Sequence, residues 1–183
     1  MNMPASDVLK TNSLSPNNFS HLEFNTRDLK PQLEYFSDVL GMPLVSIRWA
    51  DKTESSVRAM LKLNEHAMIS FLCTLRTPSE VELGVTHSEN PGDATTTGTV
   101  QHTALNVDSI EDLLAIRDRI RSRGVHCVGP MDHGFCQSIY FLGPDSLALE
   151  VATLTTDDMT QWIDPNVAEA IGLSAEEMIK LGR

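Results

Sequence analysis

Apolar residues along this chain fall into two rhythms, and the two alternate twice in the same order. Leu29, Leu33, Phe36, Val39 and Leu40 are spaced at helical intervals, as are Ile110, Leu113, Leu114, Ile116 and Ile120, which predicts one helix over 29–40 and another over 110–120. Gly41 and Gly124 stand where those helices should stop, since glycine accepts the left-handed conformation that closes a helix. Beyond each glycine the spacing changes to alternation and short apolar runs. Residues 43–48, 57–63 and 67–75 read as strands after the first helix, and 125–128, 137–142 and 147–154 after the second. Between the last two strands of each set lie Leu63-Asn-Glu-His66 and Gly143-Pro-Asp-Ser146, both rich in turn formers.

The recurrence is an internal repeat. His21-Leu-Glu-Phe-Asn25 followed by Leu29, Leu33 and Val39 matches His102-Thr-Ala-Leu-Asn106 followed by Ile110, Leu114 and Ile120, without a gap, at an offset of 81 residues. Each copy therefore reads βαβββ. In the final strands the offset becomes 80, which sets Ser70 opposite Glu150 and Met60 opposite Tyr140. The expected organisation is an N-terminal extension (1–17), a first module (18–75), a linker (76–100) rich in Pro, Gly and Thr, a second module (101–154) and a C-terminal helical extension (155–183). In that extension Asp164-Pro165 suits helix initiation, and Ser174-Ala-Glu-Glu177 forms a capping box.

Composition narrows the class. At 183 residues and 41% hydrophobic content the chain can bury a sizeable core. A net charge of −11 argues against nucleic acid, because phosphate binding needs clustered Lys and Arg. No run approaches the length of a membrane span, and residues 1–20 lack an apolar signal core, so the expected location is cytoplasmic and the expected partner a small molecule. Cys73, Cys127 and Cys136 are odd in number and form no CxxC pair, as expected of free packing thiols in a reducing compartment.

Candidate chemistry follows from the repeat. His21 and His102 occupy the same position in their copies, and pairing of two modules about a pseudo-twofold axis would bring equivalent positions together. Glu150 lies inside Leu147-Ala-Leu-Glu-Val-Ala152, where an ionised carboxylate is costly unless it is paired or bound to metal. Taken singly, a strand histidine is ordinarily structural and a strand glutamate ordinarily faces solvent. Taken together, two imidazoles and a carboxylate make a facial donor set for one divalent ion, with Fe(II) favoured and Mn(II), Zn(II), Ni(II) or Co(II) as alternatives.

Two stretches carry a family resemblance: His21 with Tyr35-Phe-Ser-Asp-Val-Leu-Gly41-Met, and Ser138-Ile-Tyr-Phe-Leu-Gly-Pro-Asp-Ser-Leu-Ala-Leu-Glu150. Over residues 18–154 the chain resembles the vicinal oxygen chelate superfamily of glyoxalases, extradiol ring-cleavage dioxygenases and bleomycin or fosfomycin resistance proteins. The resemblance implies an α+β fold of two paired βαβββ modules forming a cupped mixed sheet around a metal site, the architecture the repeat also gives.

Glyoxalase-like members commonly place a fourth ligand, Glu, where this chain has Ser70, so three ligands look more like the extradiol enzymes. Tyr140 falls ten residues before Glu150, the spacing at which those enzymes carry a substrate-binding tyrosine. By the same resemblance His133, in Asp132-His-Gly134, and His66, ahead of the Ser70 strand, are candidates for moving protons. Tyr140 as a packing aromatic, and His133 as an exposed loop residue, are the plain alternatives. His87 and His126 are assigned to linker and surface.

The leading expectation is an Fe(II)-dependent extradiol-type dioxygenase acting on a catechol or similar vicinal oxygen compound, working as a homodimer. A metal-dependent isomerase, lyase or hydrolase of the same fold, and a resistance-type binding protein without chemistry, are the other two readings.

Overall fold

The computed structural model describes residues 16, 18–156 and 164–181. The first module runs β1 (His21–Thr26), α1 (Leu29–Glu34), β2 (Leu44–Trp49), β3 (Ser56–Lys62) and β4 (Met68–Thr74). A π-helical turn, Tyr35–Val39, carries α1 onward to Gly41. The second module runs β5 (Thr103–Asn106), α2 (Ile110–Ser122), β6 (Cys127–Asp132), β7 (Cys136–Leu142) and β8 (Ala148–Leu154). Short helices α3 (Pro165–Ala170) and α4 (Ala175–Leu181) follow. The two sheets have the same order, β1-β4-β3-β2 and β5-β8-β7-β6, with the first pair of each parallel and the rest antiparallel. The duplication read from the chain is thus a duplication of topology.

Local sequence explains the element ends. Asp28 accepts the backbone N–H of Lys30 and Ser109 that of Asp112, so α1 and α2 both begin on side-chain caps. Ser174 and Glu177 cap each other's backbone N–H at the start of α4. Strand β6 runs further than the alternation predicts, past Gly129-Pro130 to Asp132, because a register shift between Val128 and Met131 lets pairing with β7 resume beyond the proline. Gly129 is required there: its φ is +108°, and a Cβ would stand 2.6 Å from the Ser138 carbonyl oxygen.

Alternation then sorts each sheet into two faces. One face of each sheet enters a single shared core, with Phe36, Leu61 and Phe71 from the first module and Leu113, Ile120, Ile139 and Leu149 from the second. Phe71 is fully buried, its ring 5.0 Å from Phe36 and 5.8 Å from Phe24. Polar ties cross the same boundary. The Asp145 carboxylate accepts from Thr26 Oγ1 at 2.7 Å and from Gln32 Nε2 at 2.8 Å, Arg119 donates to the Leu40 carbonyl at 2.6 Å, and Arg123 pairs with Asp38 at 2.9 Å. The modules are therefore one packed unit, with the second face of each sheet turned away from the common core. No described helix is long and apolar enough to cross a membrane.

Candidate functional site

The outward face of the second sheet gathers four of the residues singled out above. Tyr140 on β7 and Glu150 on β8 are direct register partners, so their side chains leave the sheet on the same side. His102, immediately before β5, places Nε2 at 2.8 Å from Glu150 Oε2. His133 sits in an Asx turn closed by Gly134 N–H on the Asp132 carboxylate, and its Nε2 lies 3.0 Å from the Tyr140 hydroxyl. A chain of polar groups, His133–Tyr140–Glu150–His102, thus crosses the face. Burial pushes the Tyr140 hydroxyl above the usual phenol range; a hydrogen bond from Ser138 opposes this and the Glu150 charge adds to it.

Glu150 is 6% exposed, and among the described residues its ion-pair partner is His102, with no Lys or Arg beside it. A carboxylate so buried needs a positive charge. One imidazole nitrogen and one carboxylate oxygen turned to a common side are donors that suit a divalent cation, so the residues present fit two positions of such a site.

His21 and His66 lie elsewhere. His21 opens β1 on the first module, exposed, with Nδ1 3.2 Å from Ser20 Oγ. Its strand belongs to the first sheet. Among the described residues no three His, Cys, Asp or Glu side chains are gathered as a metal site. His66 is exposed in the β3–β4 turn, where the Asn64 side chain accepts its backbone N–H at 2.8 Å.

On the first sheet Ser70 occupies the position of Glu150, buried and donating at 2.9 Å to Glu23 on the neighbouring strand. Arg58 grips Glu23 with two hydrogen bonds of 2.6 and 3.0 Å. Burial would raise the Glu23 pKa, but the hydrogen bonds from Arg58 and Ser70 and the Arg58 charge outweigh it and hold the carboxyl below its ordinary value. This trio was not singled out from the sequence. Its only signal there was the Glu at the second residue after His21, where the second module has Ala104.

A cavity of about 300 Å³ adjoins the polar chain, bounded by His102 and Tyr140, by apolar Val128, Leu142 and Ala148, and by Glu89, Asn90 and Pro91 of the segment between the modules. That volume is at the small end of ligand pockets. His126, assigned above to the surface, is exposed at its rim.

Residues 18–151 match the sequence profile of the Glyoxalase/Bleomycin resistance protein/Dioxygenase superfamily, and the chain belongs to that superfamily. No curated protein matches it. Among solved structures it is similar to a glyoxylase/bleomycin resistance protein/dioxygenase domain from Frankia sp. EAN1pec (TM-score 0.62, 18% identity, 76% of this chain and 99% of that one). It is also similar to FosX, a fosfomycin resistance protein from Listeria monocytogenes solved with Mn(II) and sulfate (TM-score 0.54, 20% identity, covering 80% and 99%). A third is TnmS3, an antibiotic binding protein from Streptomyces sp. CB03234 (TM-score 0.55, 12% identity, covering 78% and 99%). At these identities the likeness establishes the fold.

Proposed function

We propose that the chain is an Fe(II)-dependent extradiol-type dioxygenase for a catechol or similar vicinal oxygen compound, active as a homodimer in which a second copy presents His21 to His102 and Glu150. The observation that carries this reading is the His133–Tyr140 hydrogen bond beside the His102–Glu150 pair, which sets a proton-transfer couple against a cation-binding couple. His21, His102 and Glu150 would hold the divalent ion, which would supply Lewis acidity toward the substrate hydroxyls and the redox chemistry of ring cleavage. Tyr140 would orient one of those oxygens by hydrogen bonding, and His133 would accept and return the proton through the Tyr140 hydroxyl. The apolar cavity wall would hold the ring and exclude water.

A second copy is favoured by the exposed edge strand β2, whose Ile47 and Trp49 are 58% and 51% exposed, and it would supply the third donor that among the described residues is not gathered with His102 and Glu150. Mixing His21→Ala with Glu150→Ala tests it. A mixed dimer would contain one intact and one doubly damaged site, so random exchange restores about a quarter of wild-type activity, whereas sites built within single chains restore none.

The direct test is anaerobic reconstitution with Fe(II), then a panel of catechols and oxygen, following oxygen uptake and the absorbance of ring-opened products. Uptake lost in Glu150→Gln supports ring cleavage. One observation favours a glyoxalase-like isomerase or lyase instead: Glu23 stands beside Ser70, a carboxylate one strand away from the position where such members carry a fourth ligand. Metal binding with no oxygen uptake, together with turnover of enolisable carbonyl compounds with Mn(II), Ni(II) or Zn(II), would select that reading. Binding of an intact ligand without turnover would select a resistance-type binding protein without chemistry.

A further inference from the structure

The residue before His102 joins two things that the chain otherwise keeps apart. Gln101 Nε2 faces three backbone carbonyls of the inter-module segment, those of Pro91 and Asp93 at 3.0 Å and that of Asn90 at 3.4 Å. Carbonyls can only accept, so the amide nitrogen must be the atom on that side and the amide oxygen Oε1 the atom on the other. Oε1 is the atom in contact with His102 Nδ1. An amide oxygen also only accepts, so the imidazole donates from Nδ1, and Nε2, the nitrogen turned toward Glu150, is the one that would exchange its proton for a cation.

The segment held by Gln101 is not a loose tether. Asp93 accepts the backbone N–H groups of Glu89 and Asn90, and Ser88, 1% exposed, donates to the Gln101 carbonyl at 2.6 Å. Glu89, Asn90 and Pro91 are also the residues of this segment that wall the cavity beside His102 and Tyr140. One side chain therefore fixes both the roof of the cavity and the tautomer of the imidazole beneath it.

We propose that Gln101 is a positioning residue: it holds His102 in the Nδ1–H form with Nε2 available to a cation, and it couples that nitrogen to the 88–93 segment that closes the cavity. The proposal rests on the metal reading for its consequence and on the amide geometry for its substance. Side chains that hydrogen-bond the far nitrogen of a ligating histidine ordinarily change metal affinity by about 10–100-fold when removed.

The two ends of the amide can be tested apart. Gln101→Glu keeps an acceptor for His102 but replaces the donor facing the three carbonyls; Gln101→Met removes both. Long-range ¹H–¹⁵N correlation spectra of the metal-free wild type should assign the proton of His102 to Nδ1 where the ring is neutral. The Met variant should lose that tautomer preference and bind Mn(II), followed by competition titration, about 10–100-fold more weakly. The Glu variant should keep the preference while amide exchange at residues 88–93 accelerates. A wild-type Nε2–H tautomer overturns the proposal without any variant, and so does an unchanged tautomer together with unchanged exchange in Gln101→Met. If wild-type protein binds no divalent ion, the metal reading fails, while the tautomer and exchange measurements still decide the role of Gln101.

Discussion

The outward faces of the two sheets share one topology and do opposite things with a carboxylate. On the first, Glu23 is bound by the Arg58 guanidinium and the Ser70 hydroxyl, so its charge is met within the chain. On the second, among the described residues, Glu150 has the His102 imidazole opposite it, with Tyr140 alongside. A carboxylate with a permanent cation is a finished structural contact, while a buried one facing an imidazole still calls for a proton or a metal ion. The backbone topology is the same in both sheets, and differences at three equivalent positions, Glu23/Ala104, Arg58/Ser138 and Ser70/Glu150, close the first face on itself.

The comparison breaks most visibly at the last of these pairs. Glu150→Ala should abolish catechol-dependent oxygen uptake and weaken Mn(II) binding by more than about 100-fold, beyond what loss of a residue that only supports a ligand causes, while Ser70→Ala leaves binding within about twofold. Isothermal titration of both variants checks this, and equal losses would mean that the first face also serves as a ligand surface.

Next in size is the core the faces share. Phe71→Ala should cost about 3–5 kcal/mol in denaturant unfolding, because a fully buried ring touching Phe24 and Phe36 leaves a cavity that rigid sheets fill poorly. The loss should appear as one transition for the whole chain. Separate transitions for the two halves would show that the modules fold independently.

Tyr140→Phe sharpens the role of the second face. It keeps the ring and removes the hydroxyl bonded to His133, so kcat should fall about 100-fold, as for loss of an acid–base group, with Mn(II) affinity unchanged. A proportional rise in KM at constant kcat would assign Tyr140 to binding alone.

The smallest effect belongs to the first face. Because Glu23 is held below its ordinary value of 4.5, its stabilising contribution is complete above that pH and is lost as pH falls through the lower folded-state value. Glu23→Gln should therefore flatten the acid limb of the stability profile, by no more than about 1 kcal/mol for a partly exposed pair. An unaltered acid limb would remove Glu23 from the groups that govern acid unfolding.

Much of this molecule was legible in order along the chain. Helical spacing ending at Gly41 and Gly124, alternation in the strands and the 81-residue repeat are local or self-referential patterns, and they yield two βαβββ modules without knowledge of any contact. Glu150 was legible too, as an ionisable residue inside an apolar strand. The β6 extension was hidden because Gly129-Pro130 has the composition of a break, and only the bulge against β7 carries pairing across it.

The candidate site divides along the same line. Residue type and repeat position nominated His102 and Glu150, the family resemblance nominated Tyr140 and His133, and within the chain these four share a face because strand register and one turn place them there. The Glu23–Arg58–Ser70 trio and the hold of Gln101 on residues 90–93 could not be read from spacing, since each joins side chains or carbonyls whose proximity depends on strand pairing or on the path of a loop. By itself the sequence determined the modules, their duplication and the donors worth watching, because periodicity and burial cost are properties of short stretches. The tertiary structure alone decided which way the faces turn: burying both apolar faces in one shared core sends the polar faces outward, and among the described residues no third donor is gathered with His102 and Glu150.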